Sequence, residues 1–259
     1  MPPKNTPTAR NGNQTAPIWL APDPVSARRA PGTIQMLGIV VLIRHGETSW
    51  TVTGQHTGRT DLPLTPNGRL RAAGLHRSLG GLRLEHVFTS PLQRARQTCE
   101  LAALAFPATV DPDLEEWDYG DYESLKTAEI CVRRPGWNVF EDGCPGGESV
   151  EQVSARADRM LDGLRRLKGN IALFSHGQFL RVVASRWIGR PVAEGQHLAL
   201  DTASISILGF EHHNGRVPAL CLWNSASDTA KALAAPRVDE EPSTPAGGLS
   251  ESLSAKMIR

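Results

Sequence analysis

Residues 37–46 read Leu37-Gly38-Ile39-Val40-Val41-Leu42-Ile43-Arg44-His45-Gly46. From Ile39 to Ile43 the run is unbroken, β-branched and aliphatic, with no polar residue at alternate positions. A strand with one wet face alternates, whereas a strand covered on both faces does not. The stretch therefore predicts a central strand with helices above and below. It runs out into a cation, a histidine and a glycine, and open α/β sheets bind ligands at the carboxyl ends of their strands. A second buried run, Ile171-Ala172-Leu173-Phe174, leads into Ser175-His176-Gly177 in the same manner.

Outward from these two strands the period alternates. Thr65 before Pro66 supplies an N-cap and a first-turn proline, opening a helix to about Leu79. His86 to Thr89 reads as a short strand, and Pro91 as the start of a helix through Ala103 or beyond. Ser149-Val150-Glu151-Gln152 is a capping box, after which Val150, Val153, Ala157, Met160, Leu161, Leu164 and Leu167 form one apolar helical stripe, a core face. Another helix is expected from Phe179 to Trp187. Ser204 to Phe210 and Val217 to Leu222 flank Asn214-Gly215, a hairpin signal at a sheet edge. The expected fold class is α/β, a three-layer α/β/α sandwich with a mostly parallel central sheet.

With 259 residues, 40% of them hydrophobic, the chain suits one domain with tails. Residues 1–35 lack apolar periodicity and are expected to be a disordered N-terminal extension. Met36 is a candidate translation start, with a transit peptide as the rival reading of the segment before it. Residues 36–224 would form the domain and 225–259 a second disordered tail. The 28 basic and 27 acidic residues nearly cancel, so no global field draws nucleic acid or an anionic membrane. Cys99, Cys131, Cys144 and Cys221 are far apart, which points to neither a zinc cage nor a redox dithiol and fits a reducing, cytoplasmic setting. No apolar run approaches the ~18 residues that cross a bilayer.

A histidine past a buried strand is often a packing residue, but two in one chain, each before glycine, ask for another explanation. Arg44-His45-Gly46-Glu47-Thr48, followed by Thr57-Gly58 and Leu64-Thr65-Pro66-Asn67-Gly68, resembles the histidine phosphatase (phosphoglycerate mutase-like) superfamily. Ser90-Pro91-Leu92-Gln93-Arg94-Ala95-Arg96-Gln97-Thr98 is similar to its second arginine motif, Leu114-Glu115-Glu116-Trp117-Asp118-Tyr119-Gly120 to its acidic loop, and Ser175-His176-Gly177 to its second histidine. The likeness runs over about residues 37–224, in the family's order. It implies that His45 takes the phosphoryl group, that Glu116 is the proton donor, and that His176 is a further catalytic residue. Arg44, Arg94, Thr51, Thr57, Gly58 and Gly177 would border the phosphate.

The chemistry suits those residue types. Neutral imidazole is a competent nucleophile near pH 7, and a phosphohistidine divides one hard hydrolysis into two transfers. Two guanidinium forks match a phosphoryl dianion, so neither metal nor cofactor is expected. His176, cationic once phosphate is bound, would add a donor. Glu116 would have to hold its proton until the alkoxide leaves; Glu115, next to it, is the alternative acid. Arg96 lies two helical positions from Arg94 and should face elsewhere. His56, His76, His86 and His197 have no motif behind them and are read as structural, and His212-His213 as exposed.

Only about 60 residues separate Glu116 from His176, too few for the lid that resembling mutases carry. Thr51 and Thr127 stand where the mutase pattern has asparagine and lysine. The segments Thr57–Thr65 and Trp117–Glu123 together resemble two phosphatase branches, the fungal sedoheptulose-bisphosphatases and the actinobacterial acid phosphatases, and Gly143–Ser149 strengthens the likeness to the second. Hydrolysis of a small phosphorylated metabolite is the expected activity, with a mutase and a non-catalytic phosphate-binding module as alternatives and a homodimer left open. Arg59, Arg133 and Arg134 are either holders of a second phosphate or solvated surface charges.

Overall fold

The computed structural model of the protein describes residues 37–104, 107–211 and 217–226. Residues 1–36, His212-His213, the Asn214-Gly215 turn and 227–259 lie outside the described residues, while Ser225, expected to open the second tail, is instead the last residue of the edge strand, paired with Ile205. One sheet contains β1 (Leu37–Arg44), β2 (His86–Thr89), β3 (Thr109–Val110), β4 (Gly169–Ser175), β5 (Ile205–Phe210) and β6 (Pro218–Ser225) in the order β3-β2-β4-β1-β5-β6. β3, β2, β4 and β1 run parallel, while β5 is antiparallel to β1 and β6 antiparallel to β5. The α-helices are α1 (Ser49–Thr53), α2 (Pro66–Leu79), α3 (Gln93–Leu101), α4 (Thr127–Arg133), α5 (Val139–Asp142), α6 (Val150–Leu164) and α7 (Gly177–Trp187).

The unbroken apolar run of β1 is explained by two cores, one on each face of the sheet. Val40 and Leu42 join the core formed with α6 and α7, including Met160, Leu161, Phe179 and Val183. Val41 and Ile43 join the core formed with α2 and α3, including Leu75, Leu79 and Cys99. β4 divides in the same way, Leu173 to one side and Phe174 to the other. All of these strand residues are at most 1% exposed, so truncating one to alanine would cost about 2–5 kcal/mol. The result is the expected three-layer sandwich.

Several boundaries differ from the sequence reading. α3 begins at Gln93, two residues past Pro91, because the Leu92 N–H donates to Ser90 Oγ at 3.3 Å and Leu92 remains extended. It ends at Leu101, shortly before Ala103, which adopts a positive φ of 48° and cannot continue a right-handed helix. α7 starts at Gly177, two residues earlier than expected, because its first turn is capped from outside the helix, as described below. No helix among the described residues is long and apolar enough to cross a membrane.

Candidate active site

Strand register creates the site. β1 and β4 pair as Ile43 with Phe174 and Arg44 with Ser175, so the next residue of each, His45 and His176, emerges at the same level. Their ring centroids are 5.1 Å apart. Both line up at the carboxyl ends of parallel strands, where an open cleft is walled by Arg44, His45, Glu116 and Gly177, with Thr51, Thr57 and residues discussed below.

The two histidines are held as opposite tautomers. His45 Nδ1 lies 2.7 Å from the Gly46 carbonyl, and a carbonyl only accepts, so Nδ1 carries the proton and Nε2 keeps its lone pair. Burial, then the neighbouring Arg94 and Arg44, hold the His45 pKa well below its ordinary value, so the ring is neutral. His176 Nδ1 accepts from Arg94 Nε at 3.1 Å, which leaves the proton on Nε2, 2.8 Å from Ser90 Oγ. Burial and Arg94 hold this ring well below 6.5 as well. His176 is thus held neutral in this arrangement; the cationic form was expected with phosphate bound, and reaching it would require Arg94 Nε to release Nδ1.

Glu116 is seated on the N-terminus of α7. Its Oε1 accepts from the Phe179 N–H at 2.8 Å and the Trp117 N–H at 2.9 Å, and its Oε2 from the Gln178 N–H at 3.0 Å. The N-cap His176 makes no side-chain cap bond, so the carboxylate satisfies the donors that a helix start leaves open. A carboxylate has about four acceptor directions; the remaining one is on Oε2, and Glu116 faces the cleft. Glu115 is only partly buried and is not on the cleft wall.

The arginines divide their work. Arg44 lines the cleft, donates from Nη1 to the Leu200 carbonyl, and keeps a buried Nε with no hydrogen-bond partner among the described residues. Gly177 lets it lie there, since a Cβ on that residue would come within 3.2 Å of the guanidinium carbon. Arg94, expected on the phosphate wall, is fully buried behind it. It donates to the carbonyls of Thr60 (2.8 Å), Thr57 (3.2 Å) and Gly58 (2.8 Å) besides His176, which occupies four of its five N–H donors.

The small polar residues mostly shape backbone. Thr48 caps α1, with Thr51 as the reciprocal partner of a capping box, so the Thr51 hydroxyl is engaged by Thr48. Thr57 reaches the cleft wall, whereas Gly58 does not: its N–H donates to Glu123, and a Cβ would meet Glu123 and the Trp117 carbonyl at 2.7 Å. Gly46 N–H donates to Thr98 Oγ1 at 2.9 Å, tying the turn after β1 to α3.

Two features were not found from the sequence. His56, read as structural, stands on the cleft wall, together with Tyr119, Gln178 and Arg181. The acidic loop is braced by Arg156, which binds Glu148 through Nε (2.8 Å) and Nη2 (2.7 Å) and donates to the carbonyls of Asp113 and Glu115 at 2.9 and 2.8 Å. A signal for the brace existed: Arg156 falls between Val153 and Ala157 on the apolar stripe, where a charge needs a buried partner. His56 carried no comparable signal, because its place depends on how the segment after α1 folds back. Arg59 pairs with Asp118 at 2.8 Å, Arg134 pairs with Asp142, and Arg133 is exposed; none of the three borders the cleft.

Fold and cleft define an α/β enzyme with paired histidines at the ends of parallel strands. A family model described as histidine phosphatase superfamily (branch 1) matches residues 40–223. The chain belongs to the histidine phosphatase superfamily. An acid phosphatase of Mycobacterium tuberculosis is 46% identical over 177 residues, covering 67% of this chain and 87% of that protein. Sedoheptulose 1,7-bisphosphatase of Saccharomyces cerevisiae is 31% identical over 244 residues, covering 70% and 90%. The solved structure of an open reading frame of Mycobacterium tuberculosis superposes with a TM-score of 0.69 at 42% identity, covering 73% of this chain and 98% of that one. The protein is thus a phosphoric monoester hydrolase of this superfamily.

Proposed function

We propose that the enzyme hydrolyses small phosphorylated metabolites in two steps, through a phosphohistidine on His45 and without a metal. The observation that carries this reading is the His45 tautomer: Gly46 fixes the proton on Nδ1, and Nε2 offers its lone pair to the cleft. Nε2 attacks phosphorus, the P–O bond to the alcohol breaks, and Glu116, protonated on Oε2 in the substrate complex, gives that proton to the departing alkoxide. Water then attacks phosphorus, the P–N bond breaks, Glu116 takes the proton from that water, and inorganic phosphate leaves with His45 neutral again. Arg44 Nε, a buried donor without a partner, is assigned to a phosphoryl oxygen. The Arg94 and His176 pair behind it keeps the region positive, which supplies the charge a metal would otherwise bring.

Hydrolysis is favoured over phosphoryl retention by the cleft itself. No described residue between Tyr119 and Gly177 lines it, so that segment forms no lid to exclude water. The four cysteines are unpaired, which suits a reducing cytoplasm.

The test is to quench turnover rapidly in alkali, where phosphohistidine persists, and to map the adduct. A substrate-dependent mass increase of one phosphoryl group should lie on the peptide containing His45 and disappear in acid. His45→Ala should lose both adduct and turnover; a label on His176, or an active His45→Ala enzyme, would overturn the assignment.

A further inference from the structure

His56 lies on the same cleft wall as His45, yet the hydrolytic steps above do not use it. Its Nε2 is hydrogen-bonded to Thr127 Oγ1 at 3.1 Å. The ring lies 4.6 Å from Tyr119 and meets Trp137 edge-on at 5.4 Å. Its backbone is fixed too, with the N–H donating to the Leu125 carbonyl and the C=O accepting from Ser124. The imidazole is therefore preorganised, while Nδ1 has no partner among the described residues. Burial pushes its pKa down to about 4, so near neutrality it offers a hydrogen-bonding nitrogen and no charge.

The surrounding wall is poor in available charge. Among the described residues the permanent cations lining the cleft are Arg44 and Arg181. Arg181 lies over the Phe140 ring and donates to the carbonyls of Gly195 and Gln196 and to Gln178 Oε1. A leaving group with a second phosphate would meet one guanidinium already held by three neutral acceptors. A leaving group with hydroxyls would meet His56, Gln55 and Gln178, with Trp50 and Tyr119 beside them. Neutral side chains with aromatic walls suit hydroxyl recognition, whereas a dianion calls for a paired or bidentate cation.

Building on the phosphatase reading, we infer that His56, held by Thr127, is a specificity-determining residue that hydrogen-bonds the leaving group. The substrate class it selects is the phosphomonoester of an uncharged polyhydroxy alcohol, a sugar or polyol monophosphate, over sugar bisphosphates and phosphorylated carboxylic acids.

The experiment compares kcat/KM for p-nitrophenyl phosphate, fructose 6-phosphate, fructose 1,6-bisphosphate and 3-phosphoglycerate, in the intact enzyme and in His56→Phe and His56→Gln. The sugar monophosphate should be preferred to the other two metabolites. His56→Phe keeps the aromatic stack and should lower kcat/KM for fructose 6-phosphate by about three- to tenfold, the value of one neutral hydrogen bond, mainly through KM. p-Nitrophenyl phosphate, which has no hydroxyls to read, should change less than twofold. His56→Gln should recover part of the loss. An equal loss on both substrates, no loss on either, or a preference for bisphosphate or 3-phosphoglycerate in the intact enzyme would overturn the inference. Failure of the intact enzyme to release phosphate from p-nitrophenyl phosphate would overturn the phosphatase reading and this inference with it.

Discussion

Replacing Glu116 by glutamine tests structure and chemistry with one substitution. The carboxylate accepts from Phe179 and Trp117 on Oε1 and from Gln178 on Oε2, and an amide retains only one oxygen. In its better orientation the amide keeps the two bonds on the Oε1 side and turns its NH₂ toward the Gln178 N–H, donor against donor. One unpaired buried donor costs about 1–3 kcal/mol, and the loss of a negative charge at the N-terminus of α7 adds about 0.3–1 kcal/mol. A loss near 2 kcal/mol in a domain of this size would lower Tm by about 4–8 °C, read by calorimetry. Turnover should respond differently according to the leaving group. Removing a general acid costs about 10²–10⁴ for an alkyl phosphate, which needs protonation, and much less for p-nitrophenyl phosphate, whose leaving group departs as the anion. Equal losses on the two substrates would mean that Glu116 is not the leaving-group acid. An unchanged Tm would mean that it does not cap α7 as the structure indicates.

Two further predictions rest on separate parts of the structure. Gly177→Ala would put a Cβ 3.2 Å from the Arg44 guanidinium, so that side chain must shift by a few tenths of an ångström. About a tenfold loss of kcat/KM with little change in Tm is expected, since sub-ångström misplacement of a positioning group is already costly, and wild-type kinetics would refute the crowding. Acidification should destabilise the fold: burial lowers the pKa of His45, His56 and His176 below the ordinary value. Below about pH 6.5 the unfolded chain then binds protons that the folded chain refuses, so stability present above that pH is lost as pH falls. For His56, pushed down to about 4, the loss between pH 6.5 and 4 is at most about 3 kcal/mol, reduced by solvent screening. Asp111, raised to about 6 mainly by burial, and Glu115, also raised mainly by burial, act in the opposite direction over part of that range but are two groups against three. Tm should therefore fall between pH 7.5 and 5 in thermal scans, with a shallower fall in His56→Phe; a flat or rising Tm would contradict the burial of these rings.

The sequence by itself determined the layers and the reaction class. Unbroken apolar runs in β1 and β4 specify burial on both faces, because a solvated face would require alternating polar residues. The caps at Thr65 and Ser149 fixed where α2 and α6 begin, since local side-chain to backbone bonds need no tertiary partner. His45, His176, Arg44, Arg94 and Glu116 were legible because each lies in a short motif next to a predictable strand or helix. Tertiary structure decided which partner each polar atom takes. The β1 and β4 register brings the two histidines level, the carbonyls of Thr57, Gly58 and Thr60 draw Arg94 behind the wall, and α7 begins at Gly177 because Glu116 reaches it across 62 residues. Such contacts depend on distances between segments remote in sequence, and no local period or propensity encodes them. The place of His56 on the cleft wall is of the same kind: its neighbours Tyr119, Thr127 and Trp137 meet it only when the acidic loop and α4 fold back over the segment following α1.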